Sequence, residues 1–564
     1  MKTRSIIPLI PKVTSLLLIL FSALINVAVA ENAIQISVPL SGDRADAIAF
    51  SPKFSGDGSK LVFIGTPANF IEGGSTDFQA LLYDVAAKTL TTASVGENNT
   101  IANDTSQHVN ISQDGTFIVF QSDASNLVSD DENGLPDCFL LDTSDNSISL
   151  VSLTSTGEQT SDFFSCSRRP AVSNDGNLIA FTSRASNIVP NDTNDRGDIF
   201  VHSRLSNTTT RVSVASDGSE ASNGADLPDM SGDGRYVVFV SGSSNLDDSV
   251  NSGSNQIYLH DRLTAETTVI TQGVDSSVGD SNSSVPKISN DGNFVVFTSL
   301  ASNLVADDTN EQVDVFLYDR NSETIERISE GPNGTEPDSS SARPEISSDG
   351  RFVVFDSSAS NLIASETNSV RGVYLFDRTS GEVTKVSIAN DGSPLTAGSI
   401  DGTISDDGTL LAYLSEAPNV VDPDATESGS ALFLSEVNLC SDNPSKLQPG
   451  VCGCGVSDED ANGNANADCL DPAANSRPSK AEMSATRQQI SVTMQSFPGA
   501  TLEYVLTVNG KTKNGRKITR RSRGSSNQVT LKGKRSVKRW RARYFIRAGS
   551  DKTKKSRGSR TRVK

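Results

Sequence analysis

Short apolar runs rich in Val, Ile and Phe recur along the chain, separated by polar turns. The stretch PEISSDGRFVVFDSSASNLIASETNSVRGVYLFDRTSGEVTKVSIANDG, which starts at Pro344, resolves into four such segments. Residues 344–347 lead into Asp349-Gly350, a pair whose permissive φ suits a tight reversal. Residues 352–355 form an apolar run of β-favouring side chains, and Gly372–Asp377 forms a second. Residues 383–388 then alternate in the manner of a half-buried strand, after a turn at 377–381.

The pattern returns seven times. Asp-Gly pairs begin at Asp57, Asp114, Asp175, Asp233, Asp291, Asp349 and Asp407, with spacings of 57, 61, 58, 58, 58 and 58 residues. Twelve residues after each Asp stands an Asn: Asn69, Asn126, Asn187, Asn245, Asn303, Asn361 and Asn419. Four strands per unit, repeated in series, predict propeller blades, because one such sheet cannot bury both faces until neighbours stack on it. The seventh copy stops after its third strand, whereas residues 34–38 precede the first copy and look like a fourth strand without a blade. Pairing the two predicts an all-β, closed seven-bladed propeller over residues 31–438, with no open sheet edge between its ends. The Asp-Gly pairs are read as turn chemistry, and the recurrent Asn as an amide folded onto backbone at the end of the second strand. Acid-rich loops (residues 130–133, 191–194 and 307–310) offer oxygens of the kind Ca²⁺ takes. A solvated acidic face is the preferred reading, since the pattern degrades in copies four, six and seven.

Residues 288–297, ISNDGNFVVF, fit a box of the form xSxDGxxVxFxS, and DVFLYDR follows at 314–320. On these motifs the units resemble the WD40-like (PD40) repeats of the TolB-like β-propeller family. The resemblance implies the fold. TolB's separate N-terminal domain has no counterpart here and the blade count differs, so its partner-binding role is not carried over.

The first 30 residues read as a secretory signal. Lys2, Arg4 and Lys12 precede an apolar run at 13–27, and Ala28-Val29-Ala30 supplies small residues for cleavage after Ala30. The run falls short of the ~20 residues a spanning helix needs. The expected product is exported to the periplasm, cell surface or medium, where cysteines oxidise. The net charge of −20 conceals a division: residues 475–564 carry +22 and the rest −42. Such opposition marks modules with different partners.

Beyond the propeller, residues 439–473 hold Cys440, Cys452, Cys454 and Cys469. In an exported chain these suggest two disulfides, of three possible connectivities. A Cys₄ zinc site is disfavoured because Cys452 and Cys454 are separated by a single residue. Asp458, Asp460 and Asn462 alternate before Gly463, and Asn464, Asn466 and Asp468 follow, as a Ca²⁺ loop requires, although position twelve is Cys469 rather than Glu. With PGVCGCG at 449–455, the segment resembles thrombospondin type 3-like repeats, which implies bound Ca²⁺; a polar linker is the other reading. Cys138 and Cys166 are either a staple or two buried thiols, which spacing does not decide. Residues 480–564 predict a basic β-sandwich with strands at 489–497, 501–509, 528–531 and 538–548 and turns at Asn509-Gly510 and Asn514-Gly515. Its strand RARYFIRA at 541–548 resembles the Tyr-centred strand of fibronectin type III modules.

No catalytic motif emerges. There is no G-x-S-x-G elbow or H-E-x-x-H pair, and Gly510-Lys511-Thr512 lacks the first glycine of a P-loop. His108, His202 and His260 lie in different blades, with His260 read as structural. The expected function is non-enzymatic binding of a protein or glycan at the axial face. The basic module is expected to contact an anionic envelope polymer, and no nucleic-acid partner is expected. The alternative is a propeller-based hydrolase or lyase acting on a polysaccharide or anionic polymer, marked by two inward carboxylates about 5–10 Å apart.

Overall fold

The computed structural model describes residues 29–41, 48–160, 166–250, 253–364, 370–426 and 429–438, together with strands between residues 482 and 562. The leader, Cys440, Cys452, Cys454, Cys469 and the loop Asp458, Asp460, Asn462, Asn464, Asn466 and Asp468 lie outside the described residues.

Seven four-stranded antiparallel sheets follow one another through residue 438. The sixth blade has strands Ser341–Ile346, Phe352–Ser357, Gly372–Asp377 and Glu382–Lys385, paired in that order. Its first strand begins three residues before the expected start and runs through Pro344. Proline is tolerated there because the innermost strand is an edge, with a bulge at that point.

The second strands are buried on both faces. In the first blade Leu61 and Phe63 pack with the seventh blade, while Val62 and Ile64 pack with the second. All four are fully buried, which is why these strands read as continuous apolar runs rather than alternating ones. From the second blade to the seventh, an aromatic pair joins the second and third strands at 5.7–6.1 Å between centroids.

Each Asp-Gly turn is tied the same way. Ser347 donates to Asp349 (2.9 Å), Asp349 accepts from the Arg351 amide (2.9 Å), and Ser347 Oγ accepts from the Phe352 amide (2.9 Å). Gly350 has φ +69°, and a Cβ on it would lie 2.2 Å from the Phe294 ring of the preceding blade. Arg378 lies over that same ring at 3.8 Å, so the turn also locks neighbouring blades together. The recurrent asparagines clamp backbone as expected, on the segment leading into their own blade. Asn361 accepts from the Asp338 amide (3.1 Å) and donates to the Glu336 carbonyl (2.7 Å).

The ring closes through the N-terminal segment as expected, although the closing strand runs over Val29–Gln35 rather than 34–38. The strand Val29–Gln35 pairs antiparallel with Ala431–Asn438 and completes the sheet containing Ser399–Ile404 and Leu410–Ser415. Ala33 and Ile36 are buried in this closure. Asn390, from the sixth blade, accepts from the Ala33 amide (2.6 Å) and donates to its carbonyl (3.0 Å).

Cys138, in the third strand of the second blade, meets Cys166 ahead of the third blade. Their Cα atoms are 5.4 Å apart, the sulfurs are in bonding contact, and both residues are fully buried. That separation lies in the range a disulfide requires. A crosslink spanning 28 residues is expected to add about 3 kcal/mol, chiefly by restricting the unfolded chain. Denaturant melts of the wild type and Cys138→Ser, with and without reductant, test this. An unchanged midpoint in all four would argue for two thiols.

The C-terminal part contains two sheets. One has three strands, Glu482–Ala485, Gln489–Thr493 and Gln528–Lys532. The other has four, with Lys517–Gly524, Leu502–Thr512, Val537–Ala548 and Arg560–Arg562 in spatial order. The expected turn at Asn509-Gly510 is not one. Both residues lie inside Leu502–Thr512, paired with Thr519 and Ile518. The second expected pair, Asn514-Gly515, lies outside the described residues, and the partner strand Lys517–Gly524 is one that the polar, Arg-rich sequence concealed.

Candidate functional site

The first strand of every blade faces the axis. In the repeated Ser-x-Asp-Gly turn, the x residues converge there: Gly56, Gln113, Asn174, Gly232, Asn290, Ser348 and Asp406 all line one cavity of about 140 Å³. Gln113 Nε2 donates to Asp406 (3.1 Å), and Gln113 Oε1 accepts from Asn174 (3.1 Å) and Asn290 (2.6 Å). Asp406 also accepts from the Ser348 amide (2.8 Å). Side chains from the second, third, fifth and seventh blades thus meet across the axis at the Asp-Gly end. A Cβ at 232 would meet the amide ends of Asn290 at 1.7 Å and Asn174 at 2.4 Å, so it would push both side chains away from their present positions.

Three residues earlier, the inner strands present Lys53, Asn110, Ala171, Asp229, Lys287, Glu345 and Thr403 to the same cavity. Lys53 pairs with Glu345, and Lys287 stands 3.9 Å from Asp229 and 4.0 Å from Glu345. Enclosure lowers Lys53 to about 8, with Lys287 and Arg169 adding repulsion and Glu345 opposing. Enclosure also raises Asp229. It would raise Glu345 too, but Lys287 and Lys53 hold that carboxyl below its ordinary value.

The opposite mouth, about 50 Å³, is lined by Ser51, His108, Arg169, Val285, Arg343 and Asp401 together with Lys53, Lys287 and Glu345. Each inner strand has a left-handed residue at this level, Ser51, His108, Arg169, Leu227, Val285, Arg343 or Asp401, with φ from +44° to +55°. Strand register shifts there in every blade. Being sevenfold, the bulge belongs to the way the inner strands splay around the axis. Arg343 bridges Asp356 (3.2 Å) and Asp401 (2.9 Å). Burial lifts Asp356 to about 6 against the pull of Arg371 and Arg343.

Two of the acid-rich loops depart from the solvated face expected of them. Asp192, Asp198 and Glu220 bring their oxygens within 4.8 Å of one another, close enough to share a metal ion. The guanidinium of Arg211 is seated among them, 3.3, 3.4 and 2.8 Å from the three carboxylates. Arg327 repeats this in the fifth blade, 3.3 Å from Asp308, 3.5 Å from Asp314 and 3.3 Å from Glu336. Burial raises Asp192 and Asp314 to about 6 despite these cations, with Asp198 adding to the shift at Asp192. In the second blade Leu150 stands where Arg211 and Arg327 do, and a neutral Gln159 donates to Asp131 at 3.2 Å. Arginine is present where the partner is Glu.

The histidines do not converge. His202 and His260 are buried on Thr209 (3.0 Å) and Thr267 (2.8 Å), and burial lowers both to about 4, so they stay neutral at pH 7. Only His108 reaches the axial mouth. Sequence reasoning missed Lys53, Asp229, Lys287 and Glu345, although aligning the seven repeats puts all four at one inner-strand position.

No family model matches the chain, and no curated protein does. Among solved structures it is similar to a chain identified as TolB from Agrobacterium tumefaciens, with 19% identity over 57% of this chain and 95% of that one, TM-score 0.33. It is also similar to the WD40 repeats of RRP9, with 9% identity over 73% of this chain and 97% of that one, TM-score 0.36. A third is the extracellular domain of a hybrid two-component system protein from B. thetaiotaomicron, with 10% identity over 92% of this chain and 58% of that one, TM-score 0.35. Structural neighbours of this chain thus include TolB and WD40 propellers.

Proposed function

We propose that the chain is an exported, non-enzymatic binding protein that receives part of a protein or glycan ligand at the open mouth of its axial funnel. The observation that carries this reading is the charge pairing inside the funnel: Lys287 stands between Asp229 and Glu345, which sets both carboxylates against a cation. The basic segment 475–564 supplies attachment to an anionic envelope polymer, and the loop from Asp458 to Asp468 takes Ca²⁺. Cleavage after Ala30 leaves residues 31–38 to close the ring. Among the described residues no helix is long and apolar enough to cross a membrane.

The test is retention of the full chain on envelope extract, compared with a His108→Glu/Arg169→Glu variant whose changes lie at the mouth. Loss of retention with an unchanged melt is the expected result; equal retention overturns the reading. A hydrolase or lyase is the second reading, favoured by one observation: in the same cavity Asp229 is raised while Glu345 is held low, the divergence expected of an acid and its partner. Polymer cleavage by the wild type that Asp229→Asn abolishes would establish it.

A further inference from the structure

We propose that the open mouth of the funnel is an oxyanion site, with Arg169 as the receiving guanidinium and Lys287, Lys53 and Arg343 around it; the proposal rests on the axial-face reading and names the chemistry of the group that enters. Outside the basic segment the chain is strongly acidic, yet the mouth reverses that sign. Four basic side chains, Lys53, Arg169, Lys287 and Arg343, line it against two carboxylates, Glu345 and Asp401. The cavity, about 50 Å³, has room for a carboxylate- or sulfate-sized group.

One of these cations has no ion-pair partner among the described residues, and a second is held only loosely. Arg169 is exposed and makes no ion pair or hydrogen bond among the described residues. Lys287 has a side chain only 9% exposed, yet its ammonium has carboxylate oxygens no nearer than 3.9 Å and no hydrogen bond. An ammonium paired this loosely keeps donors that a ligand or water in the cavity can meet. Arg343 differs, being already paired with Asp356 and Asp401.

All seven inner strands contribute to the local balance: Lys53, His108, Arg169, Asp229, Lys287, Arg343 with Glu345, and Asp401. Burial is the main cause of the lowered Lys53, and Lys287 and Arg169 add repulsion against the pull of Glu345. An oxyanion seated beside Arg169 restores the Lys53 proton, so binding near pH 8–9 takes up a proton.

The experiment is calorimetric titration of the full chain with sodium sulfate, against sodium chloride of equal ionic strength. It is run on the wild type, Arg169→Gln and a control, Lys88→Gln, on an outer hairpin. Phosphate and acetate arms then identify the preferred oxyanion. The basic C-terminal segment adds the same background to every variant, so the difference between variants is what counts. Saturable binding, weakened about tenfold in Arg169→Gln and unchanged in the control, is the expected result. Near pH 8.5 the heat should vary with the ionisation enthalpy of the buffer. Identical sulfate response in wild type and Arg169→Gln overturns the site and leaves an adventitious ion only. Sulfate indifference alongside mouth-dependent envelope retention overturns the oxyanion chemistry alone; retention indifferent to the mouth overturns the axial-face reading itself.

Discussion

Deleting residues 31–38 is expected to abolish the cooperative melt of the propeller. The deletion removes buried Ala33 and Ile36 and the strand pairing of Ile34 and Gln35 with Leu434 and Phe433. It also removes the bond from the Leu432 amide to Ser37 Oγ (2.8 Å). Several hydrogen bonds at about 1 kcal/mol each and one buried isoleucine at about 2 kcal/mol come to roughly 5 kcal/mol or more. That is comparable with the whole stability of an ordinary domain, about 5–15 kcal/mol. The strand Ala431–Asn438 is meanwhile left as an unpaired edge, so aggregation is expected alongside unfolding. Asn390→Ala grades the effect, because it leaves the strand in place and removes only the side chain gripping both polar groups of Ala33. A trimmed chain that melts as sharply as the full one, followed by circular dichroism, would show that the ring does not depend on its composite blade.

Arg327→Met should cost about 3–5 kcal/mol, the penalty for stranding buried charge when one partner of an ion network is lost. The Arg327 side chain is 3% exposed and holds Asp308, Asp314 and Glu336 through Nη1, with Nε on Glu330 at 3.1 Å. Asp314 is fully buried. The deficit should shrink as pH falls. A carboxyl raised in the folded state contributes stability below its unfolded value, near 3.8, and loses it as pH rises through its folded value, already about 6 in the wild type. Removing the guanidinium moves that value higher still. Millimolar Ca²⁺ should restore part of the loss in the variant and nothing in the wild type, where the guanidinium already sits among the oxygens. Denaturant midpoints at pH 7 and pH 5, with and without Ca²⁺, check each part. A deficit below about 1 kcal/mol would mean the network behaves as a screened surface cluster.

The parts legible in the chain are those whose cause is local or periodic. Ser347, Asp349 and Gly350 make their turn from neighbours within five residues, and seven copies of that turn count the blades. The fourth strand missing at 438 and the surplus strand at 34–38 point to each other for the same reason: both deviate from one period. Lys53 and Glu345 are nearly 300 residues apart, and nothing in either neighbourhood marks the other as its partner. A charged side chain on an inner strand also reads no differently from one on a solvated face until the ring has closed.

The order of strands, the number of blades and the place of closure were therefore determined by the amino-acid sequence alone, because turn chemistry and hydrophobic period act over a few residues. Only the tertiary structure decided that Gln113 reaches across to Asn290 and Asp406, that Lys287 stands between two carboxylates, and that Arg211 and Arg327 occupy their acidic loops. Equivalent positions of different repeats become neighbours when the sheets pack around one axis, and that packing is a property of the whole ring.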